Sequence, residues 1–389
     1  MEQESLKYWI ALRAVEEIGC VGFRTLLQAF SSPREVFSAP AQALQAIPGI
    51  GPKTVAHIRS FSDWGMAEGE IERAGRLGIA ITTCQDPDYP ANLLNTYDYP
   101  PFLYVKGTFC PEEVCVAVVG SRLASVYGRY TTEKISRELA LRRITIVSGL
   151  ARGIDAAAHR GALAGKGRTI AVLGCGLDII YPPENEGLAA EVAAHGALVT
   201  EYPFGTPPNA PNFPSRNRII SGISFGVVVV EAGEKSGSLI TARIAAEQGR
   251  SVFAVPGEIG AAGSRGTHRL IRQGAVLIEN VEDILEEIIP QAAVPRPASD
   301  RPKPPVQPEG EKASRDGELP GLMEHIAGLG DTEQKILTLI PSQPTSIDTL
   351  IASSGLRAQE VLNALLILEL RGLIRQMPGK QFLRKESSN

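Results

Sequence analysis

The sequence has no CxxC pair, and its five cysteines (Cys20, Cys84, Cys110, Cys115 and Cys175) are scattered along 389 residues. That excludes a disulfide framework and a paired-thiol zinc site, and it fits a reduced, cytoplasmic compartment. No apolar run is long enough to span a bilayer. The opening, MEQESLKYWIALRAV, is acidic at its start and lacks the apolar stretch of a signal peptide. Neither sign of charge is in excess, since the formal net charge is -4. This argues against a basic coat wrapped in nucleic acid, yet it leaves room for a local basic groove, because partners respond to the nearby field. His57, His195, His268 and His325 stand alone without metal-ligand spacing, so no metal and no cofactor is expected. What is present, 43% apolar and 21% charged residues, is a globular composition. The length calls for about two to three domains.

Residues 1–80 read as short helices punctuated by Ile47-Pro48-Gly49-Ile50-Gly51-Pro52-Lys53-Thr54. Two glycines allow a tight turn there, and Pro52 suits a first helical position. An echo with similar spacing, IGCVGFR, occupies residues 18–24. The pair resembles a helix-hairpin-helix (SAM-like) domain. Gly49, Gly51 and Lys53 are then candidates for an accessory DNA contact, and a purely structural turn is the other reading. Residues 81–113, rich in Pro, Tyr and Asp, read as an ordered connector with a short strand at 103–105.

Over 114–290 apolar runs alternate with helical segments, the pattern of a parallel sheet covered on both faces. Strands are expected at 114–119, 145–147, 169–173, 197–200, 227–231, 252–255 and 275–278. Helices are expected at 128–141, 154–164, 186–195, 219–224, 239–248 and 267–272. The fold class is α/β, a Rossmann-like, doubly wound, mostly parallel sheet with its ligand crevice beyond the carboxyl ends of the strands. Residues 291–330 are Pro-rich and charged and read as a linker. Residues 331–389 read as three helices (332–340, 347–352, 358–371) and a hairpin (373–383), a winged-helix arrangement. Such a module reads duplex DNA or binds protein.

The strand ends carry the chemistry. Gly120-Ser121-Arg122 follows the first strand, Gly149-Leu150-Ala151-Arg152-Gly153 the second, and Lys235-Ser236-Gly237-Ser238 the fifth. Phe213-Pro214-Ser215-Arg216-Asn217-Arg218 precedes that fifth strand. Pro214 predicts an extended Phe213, with Ser215 capping a helix that starts after it. Arg216 and Arg218, two residues apart, cannot share a helix face. Backbone N–H groups, hydroxyls and forked cations on one rim suit a polyanion, and Phe213 offers a base a stacking surface. The plainer alternative is a surface helix whose arginines bridge to carboxylates. Familiar nucleotide motifs fail on spacing. Ile179 stands where a dinucleotide fingerprint needs its third glycine, and GALAGKG at 161–167 misses the P-loop pattern. Asp155 and His159, four apart, suit either acid–base work or a pair pinning a helix to its loop.

The runs VAVVGSR, SGLARGIDAAAH, TIAVLGCGLDIIYPPEN, FPSRNRIISG, VVVVEAGEKSGSLITARIAAEQGR and VFAVPG, in this order, resemble the DprA/Smf family of DNA-processing proteins. The resemblance implies a cytoplasmic, non-catalytic protein that binds single-stranded DNA without sequence specificity. It also implies a homodimer that loads RecA recombinase during natural transformation and recombination. Its implied DNA-binding residues are Gly120, Ser121, Arg122, Gly149, Leu150, Ala151, Arg152, Gly153, Phe213, Arg216, Asn217, Arg218, Lys235, Ser236, Gly237 and Ser238. Segment 252–278 resembles the family's surface for self-association and recombinase contact. His268 departs from the Asn frequent at that position in the family. The competing reading is an enzyme, since nucleoside-monophosphate phosphoribohydrolases resemble the same architecture. Their PGG-type loop has no counterpart in EAGEKSGSLITA, although Glu231 and Glu234 remain as carboxylates.

Overall fold

The computed structural model describes residues 3–110, 113–293 and 331–340, together with short stretches between 345 and 384. It divides into two units, Met1–Gln307 and Pro308–Asn389.

The first unit begins with six helices: α1 (Gln3–Ala14), α2 (Cys20–Ala29), α3 (Pro33–Ser38), α4 (Ala41–Gln45), α5 (Pro52–Ser60) and α6 (Trp64–Leu77). Gly19 and Gly51 stand in extended conformation immediately before α2 and α5, and Pro52 opens α5. The two glycine turns expected from the sequence therefore each launch a helix. Apolar residues at helical spacing, including Phe23, Leu26 and Leu27 of α2, are buried beside Trp9 and Leu12 of α1.

The sheet follows, built from β1 (Ala80–Thr83), β2 (Phe102–Gly107), β3 (Cys115–Val119), β4 (Thr145–Ser148), β5 (Thr169–Val172), β6 (Ala197–Thr200), β7 (Gly226–Val229), β8 (Ser251–Ala254) and β9 (Val276–Leu277). Its helices are α7 (Ala91–Leu94), α8 (Val126–Leu141), α9 (Ile154–Ala164), α10 (Glu186–His195), α11 (Asn212–Ile223), α12 (Gly237–Glu247), α13 (Arg265–Arg272) and α14 (Glu282–Ala293). The strand order is β1-β2-β6-β5-β4-β3-β7-β8-β9. All neighbours from β6 to β9 pair in parallel, whereas β1 and β2 join antiparallel at one edge. The stretch expected to be a connector thus supplies two edge strands. The apolar FLYV run is short and flanked by prolines, so its pairing is hard to read, and an antiparallel edge needs no crossover helix to announce it.

Burial follows the pleat, with alternate residues on opposite faces. Val116, Val118, Ile146 and Val228 pack with Ile135 and Leu139 of α8 and Ile284 and Ile288 of α14. Ala117, Val119, Val147, Val227 and Val229 face the other way, onto Ile219 and Ile220 of α11 and Leu239 and Ala242 of α12. From β3 the chain steps outward to β4, β5 and β6, then returns to place β7 on the other side of β3. The order therefore reverses between β3 and β7. That reversal is where an open α/β sheet leaves a crevice at its carboxyl edge.

Helix α11 corrects one expectation. It runs from Asn212, so Phe213 and Pro214 lie inside its first turn and Ser215 is not its cap. The first N–H groups of a helix have no intrahelical acceptor, so Pro214 forfeits no bond there. The extended bias on the residue before a proline is a preference that this turn overrides.

In the second unit α15 (Asp331–Leu339) precedes β10 (Thr345–Ser346), β11 (Ile374–Met377) and β12 (Gln381–Arg384). β12 lies between the other two strands, antiparallel to both. Buried Val361, Ala364, Leu365 and Leu368 recur at helical spacing and share a core with Ile336, Leu350, Ile374 and Phe382. Much of the expected helices at 347–352 and 358–371 lies outside the described residues, as do residues 294–330 of the linker expected at 291–330; residues 291–293 instead complete α14.

Candidate nucleic-acid interface

A cleft of about 840 Å³ opens at the reversal point. One wall is the loop Gly120-Ser121-Arg122 after β3, and the opposite wall runs from Gly233 to the start of α12. Phe213, Arg216 and Asn217 of α11 line it from the side, with Ala151 and Asp155 at its base and Tyr181 at its margin.

Backbone contacts hold the loops tightly. Ser121 N donates to the Glu231 carbonyl at 2.7 Å, and Ile154 N donates to the Ser121 carbonyl at 3.1 Å. Gly153 has φ +72°, and a Cβ there would meet the Ser121 carbonyl oxygen at 2.3 Å. Only glycine tolerates both the left-handed backbone and that approach. Asp155 folds the preceding loop over itself: its Oδ2 accepts from Gly149 N at 3.2 Å and Ala151 N at 3.4 Å. Asn185 Nδ2 secures the same loop at the Leu150 carbonyl, 2.8 Å away.

The cations are placed unequally. Arg122 is exposed, with its Cζ 5.2 Å from the centroid of the Phe213 ring. Arg216 approaches the same ring at 5.9 Å but is only 4% exposed. Its Nη1 donates to the Val172 carbonyl at 2.5 Å, while its Nε has no partner. Burial pushes this guanidinium downward, and the neighbouring Asp155 carboxylate works in the opposite direction. Arginine nonetheless keeps its charge in proteins. Burial likewise pushes the Asp155 carboxyl up, against the pull of Arg216. Arg216 thus sets a buried positive charge in the wall of the cleft, although its unpartnered Nε is itself closed off from solvent. Tyr181 tilts toward Phe213 at 5.9 Å and extends the aromatic wall. Across the cleft, Ser236 caps α12, accepting from Ser238 N at 3.4 Å, and Lys235 is exposed beside it. The unsatisfied N–H groups and positive end of that helix face the same space.

The structure thus brings together Gly120, Ser121, Arg122, Ala151, Phe213, Arg216, Asn217, Lys235, Ser236, Gly237 and Ser238. Gly149 and Arg152 line a small recess beside them with Arg122 and Phe213. Leu150 is fully buried, and Gly153 acts through the backbone. Arg152 is held by an ion pair to Glu184. Arg218 is not in the cleft. Its Nη2 donates to Glu201 Oε2 and its Nη1 to the Asp98 carbonyl, both at 2.5 Å. Two residues along a helix is about 200°, which turns it to the far side. Away from the sheet, Lys53 bonds Glu17 at 2.5 Å beside the turn that carries Gly49 and Gly51.

Asp155 and His159 do not pair. His159 Nδ1 lies 2.7 Å from Thr169 Oγ1, and burial together with Arg216 pushes its pKa down to about 3. Asp155 prefers backbone N–H donors because the loop curls back over the first turn of α9. Sequence reasoning also missed Tyr181 and the use made of Glu231. The Glu231 carboxylate accepts Ser125 N at 2.9 Å at the start of α8. An acid at the end of a buried strand, facing glycine loops, was the available signal. Glu234 pairs with Arg265 at 3.3 Å. His268, on α13, has its Nε2 3.1 Å from the Gly257 carbonyl in the loop after β8. Among the described residues no three His, Cys, Asp or Glu side chains gather as metal ligands, and no helix is long and apolar enough to cross a membrane.

A doubly wound sheet with a cationic, aromatic-sided cleft at its reversal point defines a Rossmann-like protein built around a binding cleft. Residues 80–289 match the family model of DNA recombination-mediator protein A, and residues 323–380 match that of the DprA winged helix domain. The chain is 36% identical over 403 residues to protein Smf of Synechocystis sp., covering 99% of this chain and 100% of that one. It is 45% identical over 301 residues to protein Smf of Escherichia coli, covering 75% and 74%. The crystal structure of DNA processing protein A (DprA) from Streptococcus pneumoniae superposes with a TM-score of 0.63 at 35% identity, over 72% of this chain and 98% of that one. The chain belongs to the DprA/Smf family of DNA-processing proteins.

Proposed function

We propose that the cleft grips single-stranded DNA without regard to base sequence, and that the protein then loads a RecA-type recombinase on the strand. The observation that carries the DNA reading is the pair of guanidiniums on one aromatic ring, Arg122 exposed and Arg216 buried. Arginine forks take phosphate oxygens, and an aromatic ring takes the face of any base. The width of the cleft and the helix end at Ser236 supply room and further N–H donors for a backbone. A grip of this composition does no chemistry. The carboxylates that a hydrolase would need are engaged elsewhere, Glu231 on Ser125 N and Glu234 on Arg265. Membership of a family described as a recombination mediator supports the loading step. Self-association as a homodimer, and action in the cytoplasm during DNA uptake and recombination, belong to the same proposal. Fluorescence anisotropy with labelled oligothymidine tests the grip. Phe213→Ala together with Arg122→Ala should weaken binding by more than about 10-fold. Unchanged affinity would remove the cleft from DNA binding. Recombinase loading is read separately, as the rate of RecA filament growth on strands coated with single-strand-binding protein, with and without this protein.

A further inference from the structure

Helix α8 presents an exposed face that the cleft does not account for. At about 100° per residue, Val126, Tyr127, Tyr130, Lys134, Arg137 and Leu141 fall within an arc of about 100°. All six are exposed, with Val126 at 76%, Tyr127 at 56% and Tyr130 at 67%. The opposite arc, with Ile135 and Leu139, is buried against the sheet. Leu123, directly after Arg122, is 91% exposed and joins this face to the rim of the cleft. A soluble surface ordinarily scatters such residues singly, and a contiguous apolar and aromatic run marks a contact.

We infer that this face is a second stretch of the single-strand path, over which bases leaving the cleft at Arg122 stack on Tyr127 and Tyr130 while Lys134 and Arg137 take the phosphates. The inference rests on the single-strand reading above. Three observations favour a strand over a protein partner. The face is continuous with the cleft through Leu123. Its exposed rings, Tyr127 and Tyr130, share the arc with two exposed cations, Lys134 and Arg137, one and two turns beyond Tyr130, and a charged backbone with stackable bases requires both. The Tyr127 hydroxyl lies 3.4 Å from the Pro256 carbonyl, a long contact that keeps the ring on the side of the strand ends. Glu133 and Glu138 lie at the margins of the arc, outside the row.

The test uses the full-length chain and oligothymidines of about 6 and about 20 nucleotides, the shorter filling only the cleft. Tyr130→Ala should leave affinity for the short oligonucleotide unchanged and reduce affinity for the long one by about 10-fold. Tyr130→Phe should restore it. Photocrosslinking a long strand carrying 5-iododeoxyuridine should label the peptide containing Tyr127 and Tyr130. The idea is overturned if wild type and Tyr130→Ala show the same gain in affinity with length, or if the label never reaches α8. A face used for protein docking would give that result together with a changed oligomeric state. Failure of the wild type to bind even the short strand would instead sink the reading of the cleft itself.

Discussion

Arg216 packs against Gly149 so closely that a Cβ on Gly149 would lie 1.9 Å from its Nη1. The glycine is there because a buried guanidinium needs the space. Gly149→Ala should displace Arg216 from its bond to the Val172 carbonyl and destabilise the chain by about 1–3 kcal/mol. Affinity for oligothymidine should fall with it. Urea denaturation and anisotropy on the same preparations would check both.

Phe213 should matter through its face rather than its bulk. Removing the ring in Phe213→Ala should cost about 1–3 kcal/mol of binding, whereas Phe213→Trp keeps a stacking surface and should bind within a few-fold of wild type. The salt dependence should be unaltered in both, because no phosphate contact is lost. Titrations at several salt concentrations separate the two contributions.

Arg218 should behave as a structural residue. It and Glu201 are nearly buried, with side chains 12% and 6% exposed. Breaking a buried pair from one side leaves an uncompensated charge, so Arg218→Ala should lower unfolding free energy by about 3–5 kcal/mol. At temperatures where the variant stays folded, its salt slope for single strands should match wild type. A shallower slope would put Arg218 on the DNA after all.

Legibility in the sequence followed the physics of burial. The seven parallel strands are Val- and Ile-rich because both faces are covered, and they were readable to within a residue or two at each end. The edge strands β1 and β2 were obscured by prolines, tyrosines and an antiparallel pairing that leaves no crossover signature. Glycines, hydroxyls and cations at strand ends marked the cleft. The direction in which each arginine points was not legible. That direction depends on where α11 begins, and Pro214 misled by sitting in a first turn that tolerates it. Asp155 and Glu231 looked like candidate acids, yet backbone N–H groups claim both, from the loop just before Asp155 and from the distant start of α8 for Glu231.

Acid should destabilise the fold partly through His159. Its folded pKa of about 3 lies below the ordinary 6.5, so between these values the unfolded chain holds the extra proton. Stability due to this group is therefore complete above about pH 6.5 and is lost as pH falls toward 3, at up to about 1.4 kcal/mol per unit. Asp155, raised by burial, acts with the opposite sign. Comparing unfolding free energies of wild type and His159→Gln from pH 7 to pH 4 isolates the histidine. The variant should show the shallower decline.

The central claim is that exposed Arg122 and buried Arg216 grip a phosphate backbone at the reversal point of the sheet. The most direct test is the slope of log affinity for a short oligothymidine against log salt concentration, in wild type and Arg122→Ala. Loss of one phosphate contact should flatten the slope by about 0.7 and lower affinity by about 10-fold at moderate salt. An Arg122→Ala variant with the wild-type slope and affinity would contradict the account.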